Sequence, residues 1–158
     1  MAPFIPFQLA YVTDDIDAAV ARAGPIFGIG AFRVNRGAEI ETGAGLALAH
    51  FALAFVGEVQ IEIIQPDGGA DAIYRNGIRE GGGALNFHHA GALITSEMAW
   101  NDVVAAAEAS GADIPVRGQF GELMHYLYLD RRDSVGHYLE YMWQTEAGAD
   151  IFAAVPRF

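Results

Sequence analysis

Val-Gln-Ile-Glu-Ile-Ile, residues 59–64, is the stretch that decides the fold, because residues 138–142, Tyr-Leu-Glu-Tyr-Met, repeat its pattern late in the chain. Side chains alternate between the two faces of a strand. Val59, Ile61 and Ile63 therefore form an apolar face that predicts packing against helices. Glu62 falls on the opposite face, and Glu140 holds the matching place in the second run. Each run predicts a strand with one carboxylate in an apolar setting.

Each of these two runs has a similar set of elements before it. Phe7–Val12 predicts a short buried strand, and Phe87–Leu93 predicts another. A helix follows each strand, the first capped by Asp14 or Asp15 and ending at Gly24-Pro25, the second running from Ser96 to about Ser110. Further strands are predicted at Leu46–Phe55, Glu58–Ile64, Leu123–Leu129 and His137–Trp143, with a turn at Pro66–Gly69 and one helical turn at residues 71–75.

The spacing of polar residues favours an internal duplication. Gln8 precedes the first helix and lies 54 residues before Glu62, whereas His89 precedes the second helix and lies 51 residues before Glu140. Agreement in both spacing and element order indicates a repeat. We therefore predict a single domain over residues 1–158, made of two repeats at about 5–68 and 85–146.

Composition excludes several classes of function. The chain has 158 residues, no cysteine and a formal charge of −11. Without cysteine there are no disulfides, thiolate metal sites or thiol nucleophiles. The negative charge and the lack of a Lys/Arg cluster argue against nucleic acid. No stretch approaches the roughly 18 apolar residues of a membrane span, and the N-terminus lacks a basic signal-peptide region, so we expect a cytoplasmic protein with no membrane partner.

Four polar residues on four apolar strands predict a metal site. A lone carboxylate buried beside Tyr138 and Met142 would cost several kcal/mol unless it is paired, protonated or bound to a cation. If the repeats pair about a pseudo-two-fold axis, four side chains converge: Gln8, Glu62, His89 and Glu140. This donor set suits one divalent ion, of zinc, nickel, cobalt, manganese, magnesium or iron. The competing interpretation is a structural domain whose two glutamates face solvent.

The chain resembles the vicinal-oxygen-chelate superfamily, which includes glyoxalase I, methylmalonyl-CoA epimerase, extradiol dioxygenases and bleomycin resistance proteins. The resemblance covers nearly the whole chain and is carried by four stretches in order: residues 8–19, 59–66, 87–93 and 133–140. It implies an α+β fold in which two βαβββ modules form an incomplete barrel around a metal-binding cleft. It also implies that the same four residues are the metal ligands, with Gln8 at a position that is often His in the family, and that the chain forms a homodimer.

The resemblance further implies a reaction class. A metal-dependent isomerase, epimerase or lyase would act on a small substrate with vicinal oxygens through an enolate-type intermediate. Glu140 is the expected catalytic base, because the resembling isomerases use that position, and Glu62 is the second candidate. The alternatives are an iron-dependent extradiol-type dioxygenase, which Gln8 disfavours, and a metal-free ligand-sequestering protein of the resistance type.

Substrate contacts are expected from two segments. Tyr74 and Arg75 lie in an irregular middle segment that is typical of a loop closing over a site. Tyr126 and Tyr128 alternate with leucines and so share one sheet face. His88 and His125 are further candidates, as hydrogen-bond partners of the ligands.

Overall fold

An eight-stranded sheet curls into an incomplete barrel in the computed structural model, which describes residues 3–158. The strands are β1 (Pro6–Val12), β2 (Arg33–Thr42), β3 (Gly45–Val56), β4 (Val59–Gly69), β5 (Asn86–Ile94), β6 (Val116–Phe120), β7 (Met124–Asp130) and β8 (Tyr138–Gln144). The helices are α1 (Ile16–Phe27), α2 (Ala72–Arg75), α3 (Glu97–Ala109) and α4 (Arg132–Val135), followed by a 3-10 turn at Glu146–Gly148. None of these helices is long and apolar enough to cross a membrane.

The strand order shows two modules of the same design. The order is β2-β3-β4-β1-β5-β8-β7-β6, so each half places its first strand in the centre, beside its last strand. β1 runs parallel to β4, β5 runs parallel to β8, and β1 joins β5 antiparallel. Across the opening, the backbone N–H of Glu41 on β2 donates to the Tyr126 hydroxyl at 3.1 Å. This architecture confirms the predicted glyoxalase-like fold class.

The helices cover the outer face of the sheet. Ile16, Ala19 and Ala23 of α1 pack against Ile63, which confirms the apolar face predicted for β4. Trp100 and Val103 of α3 pack in the same way over the second module. Because the outer face takes the helices, the polar residues of the central strands are left facing the barrel interior.

The sequence interpretation missed elements at the edges of the sheet. β2 and β6 were not predicted, because most of their residues are exposed and neither strand has a clean apolar alternation. α1 continues past Gly24-Pro25 to Phe27 and ends at Gly28, whose φ is 72° and whose N–H donates to the Gly24 carbonyl. β4 also continues to Gly69, through the residues expected to form a turn.

The segment after β8, residues 145–158, runs back to β3 of the first module. Its end pairs with β3, where the Phe55 N–H donates to the Pro156 carbonyl at 2.8 Å and the Phe158 N–H donates to the Phe55 carbonyl at 3.0 Å. The Arg157 guanidinium lies 3.9 Å from the centre of the Phe55 ring. This anchoring places Phe152 among the residues that line the barrel interior.

Candidate metal centre

The four predicted ligand positions lie on the four central strands of the barrel. Gln8 is on β1, Glu62 on β4, His89 on β5 and Glu140 on β8, and these strands are neighbours in the sheet. All four side chains are buried, with exposed fractions of 2%, 8%, 0% and 6% respectively. The strand register places Glu62 in one row with His89 and Glu140 in the adjacent row with Gln8.

Three of these residues form a close cluster around the imidazole of His89. Its Nε2 atom lies 3.1 Å from Oε2 of Glu140 and 3.5 Å from Oε2 of Glu62. One ligand atom from each residue falls within 4.8 Å of the other two. Their side chains are at most 11% exposed, so solvent screens the two negative charges weakly. The cluster therefore has the donors and the charge to hold a divalent cation.

Two potential ligand atoms of the centre lack a hydrogen-bond partner within residues 3–158, as does the neighbouring amide donor Nε2 of Gln60. One is Nε2 of His89, which carboxylate oxygens of Glu140 and Glu62 flank at 3.1 and 3.5 Å. The other is Oε1 of Gln8, whose amide Nε2 donates to Oε1 of Gln60 at 2.7 Å. Buried polar atoms are seldom left without partners. Two such atoms beside a pair of carboxylates fit a site for a shared cation.

A glycine leaves space beside the predicted ligand Gln8. Gly91 faces the interior two residues after His89, and it is the register partner of both Gln8 and Glu140. A Cβ atom there would lie 2.7 Å from Oε1 of Gln8 and 2.9 Å from Cε of Met142. Since real Cβ atoms do not approach so closely, the missing side chain leaves room for the Gln8 amide and the Met142 side chain in this position.

Burial and charge shift the pKa values of the cluster. Burial alone would lower the pKa of His89, but the adjacent carboxylates, Glu140 first, outweigh it and raise that pKa to about 9. Burial raises the pKa of Glu140 above its ordinary value, although the charge of His89 opposes the rise. In the metal-free chain, a proton on the imidazole therefore takes the place of a cation.

These directions predict a pH-dependent stability of the metal-free chain. The folded-state pKa of His89 lies above its ordinary value of 6.5, so its contribution is fully present below about pH 6.5 and is lost as the pH rises through about 9. The raised pKa of Glu140 acts in the same direction. We expect the Tm in excess EDTA to fall by several degrees from pH 6.5 to 9.5, measured by circular dichroism. The Glu140→Gln variant, which removes the largest attraction on His89, should fall less, and a flat wild-type profile would contradict the assignment.

The metal-centre residues Gln8, Glu62 and Glu140 line a cavity of about 230 Å³ in the barrel. Tyr74, Tyr126 and Tyr128 also line it. The hydroxyls of Tyr74 and Tyr128 are 3.4 Å apart, and burial raises the pKa of both, so both stay neutral. Burial likewise raises the pKa of Tyr126 to about 12, and its hydroxyl oxygen accepts a hydrogen bond from the Glu41 N–H.

The structure does not bring every predicted contact to the cavity. Arg75 points outward from α2 and forms an ion pair with Asp71, while Tyr74 beside it turns inward. His125 stacks on Trp143, with ring centres 5.1 Å apart, under α3 on the outer face. His88 does contact a ligand, since its Nδ1 lies 2.9 Å from Nδ1 of His89. Sequence reasoning missed Gln60 as the partner of Gln8, although it shares a strand face with Glu62.

Comparisons with solved structures give the same fold at low identity. A hypothetical protein from Bacillus halodurans C-125 matches with a TM-score of 0.61 and 16% identity, over 92% of this chain and 97% of that one. The methylmalonyl-CoA epimerase from Mycobacterium tuberculosis matches with a TM-score of 0.60 and 11% identity, over 98% and 97% of the two chains. A methylmalonyl-CoA epimerase in complex with methylmalonyl-CoA and NH4+ matches with a TM-score of 0.57 and 13% identity, over 92% and 98%.

A family model gives the assignment. No curated protein matches the chain in sequence. The model described as Glyoxalase/Bleomycin resistance protein/Dioxygenase superfamily matches residues 7–126, a range that includes Gln8, Glu62 and His89. With the strand order and the buried cluster described above, this match shows that the chain belongs to the Glyoxalase/Bleomycin resistance protein/Dioxygenase superfamily.

Proposed function

We propose that this chain is a divalent-metal-dependent enzyme that moves a proton at a carbon atom beside a carbonyl group, as an isomerase, epimerase or lyase. The observation that carries the proposal is the buried Glu62, His89 and Glu140 cluster facing an interior cavity. Glu62, His89, Glu140 and the amide oxygen of Gln8 would hold the metal. When bound there, a divalent ion would supply Lewis-acid chemistry to a substrate with two neighbouring oxygens.

Glu140 is the residue proposed to move the proton. Its carboxylate lines the cavity, so it can reach a substrate carbon held there, and a positioned carboxylate serves as a general base. It removes the proton from carbon, holds it on the carboxyl group and returns it to the same or a neighbouring atom. Glu62 lies across the cluster and is the second candidate for this role.

The tyrosine pair is proposed to stabilise charge that develops on the substrate. One proton lies between the hydroxyls of Tyr74 and Tyr128, which leaves the other hydroxyl proton to donate into the cavity. A neutral donor that is fixed before the reaction stabilises an enolate oxygen without further reorganisation. Tyr126 is proposed to form part of the cavity wall, where its hydroxyl oxygen accepts from the Glu41 N–H and its own proton remains available to a substrate.

The cavity favours a small, partly apolar substrate. Its volume of about 230 Å³ is below the usual range for drug-sized ligands. Phe51, Leu53, Met142 and Phe152 contribute apolar wall, and Arg33 and Glu39 place opposite charges among the lining residues. The solved structures of similar fold include epimerases of a CoA thioester. Here the net charge of −11 does not attract a polyanionic carrier group, so we propose a compact substrate that is not attached to such a carrier. The cytoplasmic location and the homodimer stay predictions.

The cluster favours proton transfer over ring-cleaving dioxygenation. Non-haem iron oxygenases typically use two histidines and one carboxylate. His88 does not supply the second histidine, because its Nδ1 contacts His89 and its Nε2 contacts the Ile73 carbonyl oxygen at 3.1 Å. The described residues thus offer one imidazole and two carboxylates at this centre.

Metal titration and solvent exchange test the proposal together. We expect the EDTA-treated chain to bind one equivalent of Zn²⁺, Ni²⁺, Co²⁺ or Mn²⁺ by calorimetry, with a rise in Tm. The loaded chain is then incubated in D2O with small α-hydroxy ketones and α-keto acids. Deuterium incorporated beside the carbonyl, followed by proton NMR, would support proton transfer.

Two other outcomes would contradict the proposal. Oxygen consumption on catechols by the iron-loaded chain, without deuterium exchange, would favour the dioxygenase. Tight binding of an apolar ligand by the EDTA-treated chain, with no turnover in any metal form, would favour a ligand-sequestering protein.

A further inference from the structure

Two consecutive histidines of β5 contact each other inside the barrel. Neighbouring residues of a regular strand point to opposite faces, but here Ala10 pairs with His89 while Tyr11 pairs with Phe87. His88 is therefore the extra residue of a β-bulge, a feature that re-aims side chains next to functional sites. Both imidazoles are buried, with exposed fractions of 3% and 0%.

The hydrogen bonds of His88 fix the position of its own proton. Its Nε2 lies 3.1 Å from the carbonyl oxygen of Ile73, and a carbonyl oxygen only accepts, so Nε2 carries the hydrogen. The ring packs among Tyr74, Tyr128 and Tyr138. A charged imidazolium in that setting would be costly, so His88 is neutral and its Nδ1 is an acceptor.

The hydrogen bond between the two imidazoles also determines which nitrogen of His89 carries a proton. Its Nδ1 lies 2.9 Å from Nδ1 of His88, which accepts, so Nδ1 of His89 must be the donor. The remaining nitrogen, Nε2, lies between Glu62 and Glu140, where it carries the second proton in the metal-free chain and offers its lone pair to a cation that displaces that proton. A hydrogen bond to the other ring nitrogen commonly sets which nitrogen of a histidine binds a metal.

We propose that His88, held by the Ile73 carbonyl, is a positioning residue that keeps His89 in the form whose Nε2 is available to a divalent cation. This inference rests on the proposed function, and His88 itself is not a ligand, because both of its nitrogens are used. Ile73 belongs to α2, the helix that also turns Tyr74 into the cavity wall. The contacts from Ile73 through His88 to His89 therefore link the position of the cavity wall to the orientation of the His89 ring.

Zinc affinity and NMR test this role without any substrate. His88→Phe keeps a ring but removes the acceptor, and we expect the Kd for Zn²⁺, measured by chelator competition, to rise about 10- to 100-fold. His88→Asn returns an acceptor oxygen near the place of Nδ1 and should recover most of the affinity. His125→Phe, on the outer face, is the matched control and should leave the Kd unchanged.

The zinc-loaded wild-type chain gives the second readout. Proton–nitrogen NMR should show His89 protonated at Nδ1 and coordinated through Nε2, with the Nδ1 proton exchanging faster in His88→Phe. Coordination through Nδ1, or an unchanged Kd in His88→Phe, would overturn the inference while leaving the proposed function intact. Failure of the wild-type chain to bind Zn²⁺ or any other divalent ion would instead overturn the proposed function. If His88→Phe does not fold, the Kd of His88→Asn for Zn²⁺ and the NMR spectrum of the wild-type chain still test the inference.

Discussion

Glu140→Gln is expected to reduce kcat by about 10²- to 10⁴-fold, the range for loss of a general acid or base, while the fold is retained. The amide has nearly the same shape as the carboxylate, but it neither takes a proton from carbon nor supplies negative charge to the cation. Metal affinity should therefore fall as well. Elemental analysis of the purified variant, together with kcat at saturating metal, separates the two losses.

The matched control for this variant is Glu58→Gln. Glu58 lies in the exposed turn between β3 and β4, so its replacement should change neither metal content nor kcat. Stoichiometric metal and an unchanged kcat in Glu140→Gln would remove Glu140 from both proposed roles and leave Glu62 as the base.

His89→Leu is expected to abolish metal binding and to destabilise the EDTA-treated chain. Leucine fills much of the ring volume, but it leaves Glu62 and Glu140 facing each other without the imidazolium between them. Removing one partner of a buried charge cluster costs about 3–5 kcal/mol of the free energy of unfolding. Urea denaturation of the EDTA-treated variant and wild type at pH 7 measures the difference.

The pH dependence of that loss identifies its cause. At pH 5 more of the Glu140 carboxyl is protonated, because its pKa is raised, and the deficit of His89→Leu should shrink. His125→Leu serves as the control for losing a histidine that packs on tryptophan rings outside the barrel. Equal stability of His89→Leu and wild type at pH 7 would show that the carboxylates do not depend on the imidazole.

The central strands could be predicted from the sequence because burial on both faces leaves a strong signal. β4 and β8 are apolar runs in which one carboxylate stands out, and that contrast indicated both the strands and the site. β2 could not be predicted, since an exposed edge strand needs no apolar alternation. The extension of α1 beyond Pro25 was also missed, because Gly28, and not Gly24, closes the helix.

The site was predictable to the level of residue type and face, and less so in its details. The alternation of side chains along β4 placed Glu62 on the inner face, and the order of the elements placed His89 beside it. The bulge at His88 depends on how β5 pairs with β1, which no local pattern reveals. The opposite directions of Tyr74 and Arg75 likewise depend on how α2 packs against the barrel.

Gly91 has a consequence for how such a chain changes over evolutionary time. A methyl group on Gly91 would lie 2.7 Å from the Gln8 amide oxygen and 2.9 Å from Cε of Met142. A single-codon replacement of this glycine by alanine could displace the Gln8 amide while leaving all four ligand residues and the apolar walls in place. Under the proposed function, descendants with this change would keep the cavity but lose one of the four proposed donors, which would weaken cation binding and leave ligand binding in place.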